Sequence, residues 1–281
     1  MLSYRHAFHA GNHADILKHL ILVEILDYLN QKDKPWWYVD THAGAGAYAL
    51  DSVYARKNAE FDGGIGALWQ RTDLPPALKR LVERIRLLNP DGQLKLYPGS
   101  PHFAWQLARP ADKLWLYELH STDQGLLQQT FADAGKQIHI EARDGFAGLT
   151  AVLPPQPRRG LVLIDPSYEL KEDYRRVVDG LQDGLKRFAT GTYAVWHPLL
   201  QRPEALLLQE RLRKLPTQGW LHATLSVHTP NKDGFGMHGS GIFVINPPWT
   251  LYATLKETLP YLARVLGQNG QGSYTLERQA G

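Results

Sequence analysis

The chain has 281 residues, 43% hydrophobic and 21% charged, a balance suited to one large α/β domain or two modest ones. It contains no cysteine, which excludes disulfides, thiolate zinc sites and cysteine nucleophiles. A net charge of +3 permits a phosphate-bearing partner without identifying one. No apolar run approaches the roughly 20 residues needed to span a bilayer. His6, His9 and His13 interrupt any signal-peptide core, so a soluble cytoplasmic protein without a membrane is the expectation.

Asn12 is placed to cap a helix whose Ile16, Leu17, Leu20 and Ile21 share one face. Strands are expected at 36–40, 114–118, 138–142, 161–164, 193–196, 223–227 and 242–245, with helical stretches between most of them. That alternation implies right-handed crossovers and a mainly parallel sheet covered on both faces. The last two runs are joined by the polar loop Asn231-Lys232-Asp233-Gly234, which reads as an antiparallel hairpin at a sheet edge. The expected fold is Rossmann-like α/β: a mainly parallel seven-stranded sheet with its last strand antiparallel, as in methyltransferases. About 70 residues separate the first strand from the second, more than one crossover helix needs. Residues 47–93 are therefore read as an inserted helical subdomain, and 1–46 with 94–281 as the main domain carrying an N-terminal helical lid. Ser100-Pro101 then begins the crossover helix proper.

Three strand ends carry chemistry. Asp40-Thr41-His42-Ala43-Gly44-Ala45-Gly46 follows the first strand, where small residues let the backbone approach a cofactor. The full dinucleotide fingerprint is absent, since Leu50 stands where its third glycine would fall. Glu118 ends the second strand, where a carboxylate accepts both hydrogens of a ribose diol, and Asp144-Gly145 follows the third, within reach of an adenine amino group. Asp165-Pro166-Ser167-Tyr168 closes the buried run 160–164. An acceptor side chain and a backbone carbonyl there can each take one hydrogen of an exocyclic amino group, drawing its lone pair out of conjugation. Proline has no N–H to compete, and the Tyr168 ring is expected to stack on the extruded base. Together these point to S-adenosylmethionine-dependent methylation of an adenine amino group, with Asp165, Pro166 and Tyr168 catalytic. A non-catalytic RNA-binding protein on the same fold stays open as an alternative. So does a DNA adenine methyltransferase, because this motif cannot read the sugar.

Asn246-Pro247-Pro248-Trp249 matches the amino-methylation pattern more closely than Asp165–Tyr168 does. It ends the strand read as antiparallel, so it is expected at the sheet edge opposite the cofactor. His6, His9, His13 and His19 invite a metal reading, but no carboxylate or cysteine nearby in sequence completes a tetrahedral set, and no metal is expected.

The chain resembles the 23S ribosomal RNA adenine-N6 methyltransferase family RlmJ. The likeness rests on Leu2-Ser3-Tyr4-Arg5-His6, Gly11-Asn12-His13-Ala14-Asp15, Tyr97-Pro98-Gly99-Ser100-Pro101 and Glu118-Leu119-His120. It also rests on the loop after the first strand, the Asp165 motif and Lys186-Arg187-Phe188-Ala189-Thr190-Gly191-Thr192-Tyr193. The resemblance implies that His19, His42, Ser100, Glu118, Asp144 and Gly145 hold S-adenosylmethionine, released as S-adenosylhomocysteine. Gly44 and Asp165 join the expected cofactor contacts, Asp165 is implied as the catalytic acceptor, and Tyr4 as a substrate contact. The implied substrate is a single adenine, A2030, of 23S rRNA that is protein-free or in an early assembly intermediate, met by a monomer. Ser167 stands where the family usually has a second proline, so the turn is expected to be less rigid.

Overall fold

The computed structural model describes residues 5–231, 234 and 236–279; Tyr4, Lys232 and Asp233 lie outside them. The described strands are β1 (Trp37–Asp40), β2 (Ala47–Ala49), β3 (Leu96–Pro98), β4 (Lys113–Tyr117) and β5 (Ile138–Glu141). They continue with β6 (Gly160–Ile164), β7 (Thr192–Leu199), β8 (Trp220–Ser226), β9 (Gly239–Ile245) and β10 (Ser273–Gln279). Eight form one sheet in the order β10-β8-β9-β7-β6-β1-β4-β5, while β2 and β3 make a separate antiparallel pair.

β1 pairs in parallel with β4 and β6, β4 with β5, and β6 with β7. β9 runs antiparallel between β7 and β8. The hairpin read from the sequence is therefore present, but β9 lies inside the sheet and not at its edge. That edge belongs to β10, an eighth strand absent from the sequence reading. Its residues are almost all exposed, so no buried alternation marks it. Main-chain pairing to β8 defines it instead, with Thr224 and Thr275 hydroxyls bonded at 2.6 Å.

From β1 the chain moves outward to β4 and β5, then returns to β6 on the other side of β1. Strand order thus reverses between β1 and β6. A crevice opens beyond the carboxyl ends of strands at such a point, and open α/β sheets bind ligands there.

One face of the sheet is covered by the helices His13–Asn30, Ser100–Leu107 and Leu251–Leu266, the other by Gly145–Val152, Lys171–Arg187 and Pro203–Arg213. The helix His13–Asn30 starts where Asn12 Oδ1 accepts the amides of Ala14 and Asp15 at 2.9 and 3.1 Å. It is buried almost all round and not along one face, because helices Pro76–Arg86 and Leu251–Leu266 close over it from outside the sheet. Polar residues on such a helix must find partners inside the protein. Asp15, Lys18 and His19 do so, and they become part of the site.

Between β2 and β3 lie the helices Val53–Asn58, Ile65–Trp69 and Pro76–Arg86. Ile65, Leu68, Leu78, Leu81 and Ile85 share one apolar cluster with Ile16 and Leu20 of the helix His13–Asn30. The core of this segment is continuous with that of the main sheet.

Candidate active site

At the switch point a cavity of about 300 Å³ opens, within the range of small-molecule pockets. Its walls include His19, His42, Gly44 and Ser100 on the β1 side. Glu118, Asp144, Gly145, Asp165 and Pro166 complete the set that the sequence placed at strand ends.

Asp40, at the end of β1, is wholly buried and accepts the hydroxyls of Tyr38 and Ser100 at 2.6 Å each. Burial pushes its pKa up, opposed by these donors. The loop that follows turns through Gly44 at φ +61°, a left-handed conformation that favours glycine. The Gly44 amide then donates to Glu118 Oε2 at 2.8 Å, and the His120 amide donates to Oε1 at 2.7 Å. Glu118 is thereby fixed with both oxygens oriented. Burial raises its pKa, and the two amides hold that rise in check.

Gly145 permits a second close approach, since a Cβ there would stand 2.0 Å from the Thr41 carbonyl oxygen. The neighbouring Asp144 caps the helix Gly145–Val152, its Oδ1 accepting the amides of Phe146 and Ala147. His19 pairs through Nδ1 with the Tyr97 hydroxyl at 2.8 Å, while its buried Nε2 has no hydrogen-bond partner among the described residues. Burial keeps that imidazole neutral. His42 likewise stays neutral, pushed down to about 4 by burial.

Asp165 follows β6, and Lys18 Nζ donates to its Oδ2 at 2.6 Å. Lys18 is also 2.9 Å from Asp15 Oδ1, and Asp15 Oδ2 meets His6 Nε2 at 2.9 Å. Desolvation works against the Lys18 charge, but the two carboxylates outweigh it and hold the pKa above its ordinary value. Asp15 is held well below the usual carboxylate range: burial pushes it up, and the facing His6 ring and the Lys18 charge overcome that push. Lys18 and Asp15 fall in the N-terminal segment expected from the sequence to form a lid, and no motif there pairs them with Asp165. A signal existed: opposite charges three residues apart flank Ile16 and Leu17 in the first turns of the helix, where an unpaired buried ion is costly.

Tyr168 departs from its expected role. Its ring is 3% exposed, lies outside the cavity lining and packs on Tyr174 and Trp196. The reason is local: Tyr168 has φ +54°, which turns the side chain away from the crevice, and its hydroxyl donates to the Trp196 carbonyl at 2.7 Å. Tyr168 anchors the turn that Ser167 leaves without a second proline, and in this conformation it does not face a base. Asn246, by contrast, sits where expected. Its Nδ2 donates to the carbonyls of Ala189 and Gly191, just before β7 begins, at the opposite edge from the cavity. His6 and His9 do meet carboxylates, Asp15 and Glu60, that sequence spacing did not pair with them. Tyr4 lies outside the described residues.

The family model described as "Ribosomal RNA large subunit methyltransferase D, RlmJ" matches residues 33–279. This chain belongs to the RlmJ family. The Ribosomal RNA large subunit methyltransferase J of Haemophilus influenzae is 48% identical to it over 278 residues, 99% of this chain and 98% of that protein. The Escherichia coli protein of the same name is 46% identical over 276 residues, 98% of each chain. A solved structure from Legionella pneumophila superposes with a TM-score of 0.88 at 35% identity, covering 96% of this chain and 98% of that one.

The RlmJ cavity suits S-adenosylmethionine on three observations. Glu118 is a half-buried carboxylate with both oxygens oriented, the form a ribose diol requires. Gly145 lets the start of its helix pack directly on the Thr41 backbone, which brings Asp144 to the loop after β1. His19 Nε2 is a buried polar atom that still lacks a partner. Among the described residues no helix is long and apolar enough to cross a membrane, and no group of three or more metal-type side chains forms.

Proposed function

We propose that this chain methylates the N6 amino group of a single adenine in 23S rRNA, A2030 by its family likeness, with S-adenosylmethionine as donor. The observation that carries the reading is the convergence of Asp165 and Pro166 with Glu118 and Asp144 on one cavity at the switch point. In this reading 1–46 and 94–281 form the catalytic domain, 47–93 is an insert, and the monomer meets protein-free RNA or an early assembly intermediate. Among the cofactor contacts, Glu118 takes the ribose diol and Asp144 the adenine amino group. His19, His42, Gly44, Ser100 and Gly145 enclose the remainder, with Asp165 at the methyl end.

When bound, the cofactor supplies an electrophilic methyl group on a sulfonium. Asp165 accepts one hydrogen of the target amino group, and the Pro166 carbonyl accepts the other. The nitrogen lone pair then leaves conjugation with the ring. Lys18 fixes the Asp165 Oδ2, leaving Oδ1 without another hydrogen bond among the described residues. Asp165 is also the group placed to receive the proton that the methylated nitrogen loses. Alignment of the amino group contributes the larger share, since displacement at a methyl carbon needs an in-line approach.

The test is tritium transfer from S-adenosylmethionine to protein-free 23S rRNA lacking the modification. Transfer is expected to one adenine in the wild type and to none in Asp165→Ala. Cofactor binding without transfer to any RNA would sink the reading. Equal competition by a matched DNA stem-loop would move the substrate to DNA, because 2′-hydroxyl contacts distinguish the two.

Glu118→Gln is expected to weaken S-adenosylhomocysteine binding on the order of tenfold, because the amide offers one acceptor in place of two. In the wild type the ionised form binds the diol and burial raises the Glu118 pKa, so affinity should fall as pH drops toward that raised value. Calorimetry across pH checks both; a flat profile would remove Glu118 from the ribose site.

A further inference from the structure

Arg176 belongs to no motif read from the sequence, yet it lines the cavity beside Asp144. It projects from the helix Lys171–Arg187, and its guanidinium bonds to Asp144 Oδ2. The same guanidinium lies over the Phe146 ring, with Cζ 4.8 Å from the centroid. The Phe146 ring in turn meets the His42 ring edge-on at 5.3 Å. Three elements are thereby tied together: the loop after β1, the start of the helix Gly145–Val152 and the helix Lys171–Arg187.

The consequence falls on Asp144. Its Oδ1 is committed to the amides of Phe146 and Ala147, at 2.9 and 3.1 Å, so the carboxylate cannot rotate without uncapping a helix. Its Oδ2 is drawn to Arg176, which leaves one lone-pair direction on that oxygen for a ligand. Burial would raise the Asp144 pKa, but the Arg176 hydrogen bond and charge, with the two amides, hold it below the usual carboxylate range. An ionised carboxylate is an acceptor only. It therefore rewards a donor such as a 6-amino group and repels the oxygen of a 6-oxo purine.

We propose that Arg176 is a specificity-determining residue of the cofactor site: by fixing the ionised Asp144 it makes the cavity select a 6-amino purine over a 6-oxo purine. This rests on the assignment of the cavity to S-adenosylmethionine with its adenine at Asp144. Arg176 acts through another side chain, so it is a positioning residue and not a catalytic one. Its contact with Phe146 also makes it part of the wall, and the two contributions differ in what they predict. A wall serves any purine equally, whereas an oriented acceptor serves only the amino form.

The experiment is calorimetric titration of the full chain with S-adenosylhomocysteine and with S-inosylhomocysteine, its 6-oxo counterpart. The wild type is expected to favour the amino form on the order of tenfold, because the half-exposed Asp144 facing an oxygen loses a hydrogen bond that water replaces in part. Arg176→Ala should weaken S-adenosylhomocysteine about tenfold and S-inosylhomocysteine less than about twofold, narrowing the selectivity. Arg176→Lys keeps the charge without the planar fork and should recover most of that selectivity. Arg176→Gln carries the same expectation as alanine should the alanine variant not fold. Equal weakening of both ligands, or unchanged affinity for S-adenosylhomocysteine, would overturn the proposal while leaving the cavity assignment standing. A wild type that binds neither ligand would overturn the assignment and the proposal with it.

Discussion

Asp165→Asn is expected to slow methyl transfer on the order of a thousandfold in single-turnover assays with saturating cofactor and RNA. The substitution preserves shape and removes the charge. Asparagine retains one carbonyl acceptor, but its amide presents donors where the target nitrogen also presents donors. It also loses the capacity to take a proton at the pH of the assay. Lys18 keeps a partner in Asp15 at 2.9 Å, so the fold should persist and S-adenosylhomocysteine affinity should change by far less than the rate. A rate within about tenfold of wild type would show that Asp165 only shapes the pocket, because loss of general acid–base catalysis costs more than that.

Lys18→Met should carry the largest effect on stability. It strips the cation from between Asp15 and Asp165, side chains only 2% and 15% exposed. Breaking a buried ion pair by removing one partner costs about 3–5 kcal/mol. Thermal denaturation should show the loss, together with a changed dependence on pH. In the wild type Asp15 has a depressed pKa, so it contributes stability above its unfolded pKa, and that contribution is lost as pH falls through the folded value. In the variant His6 and the Gly11 amide remain as partners of Asp15, so the depression shrinks and less stability is lost on acidification. The melting temperature of the variant should therefore fall less than that of the wild type as pH drops through the acid range. A variant whose melting temperature follows the wild-type pH profile would mean that His6 alone suffices for Asp15. Methyl transfer should also fall, since Asp165 loses the contact that orients it.

Much of this site was legible because its signals are local. Small residues after a hydrophobic run, a carboxylate ending the next run and Asp-Pro ending a third are each confined to a few neighbouring residues. Chain order alone arranges them along one sheet edge. The Asn246 motif was separable from the Asp165 motif for the same reason: a strand reached without a helical crossover runs antiparallel and ends at the other edge. The pair Lys18–Asp165 spans 147 residues, and the pair Arg176–Asp144 spans 32. Nothing in the composition around either partner names the other.

By itself the sequence determined the doubly covered sheet, the strand ends that carry Asp40, Glu118, Asp144 and Asp165, and the family, because these follow from hydrophobic periodicity and contiguous motifs. The tertiary structure decided what depends on distance and direction. A helix buried almost all round forces Asp15 and Lys18 to satisfy each other and Asp165. A left-handed residue at Tyr168 turns an aromatic ring from the substrate side to the core. An edge strand as polar as β10 is held by backbone pairing that side-chain pattern does not announce.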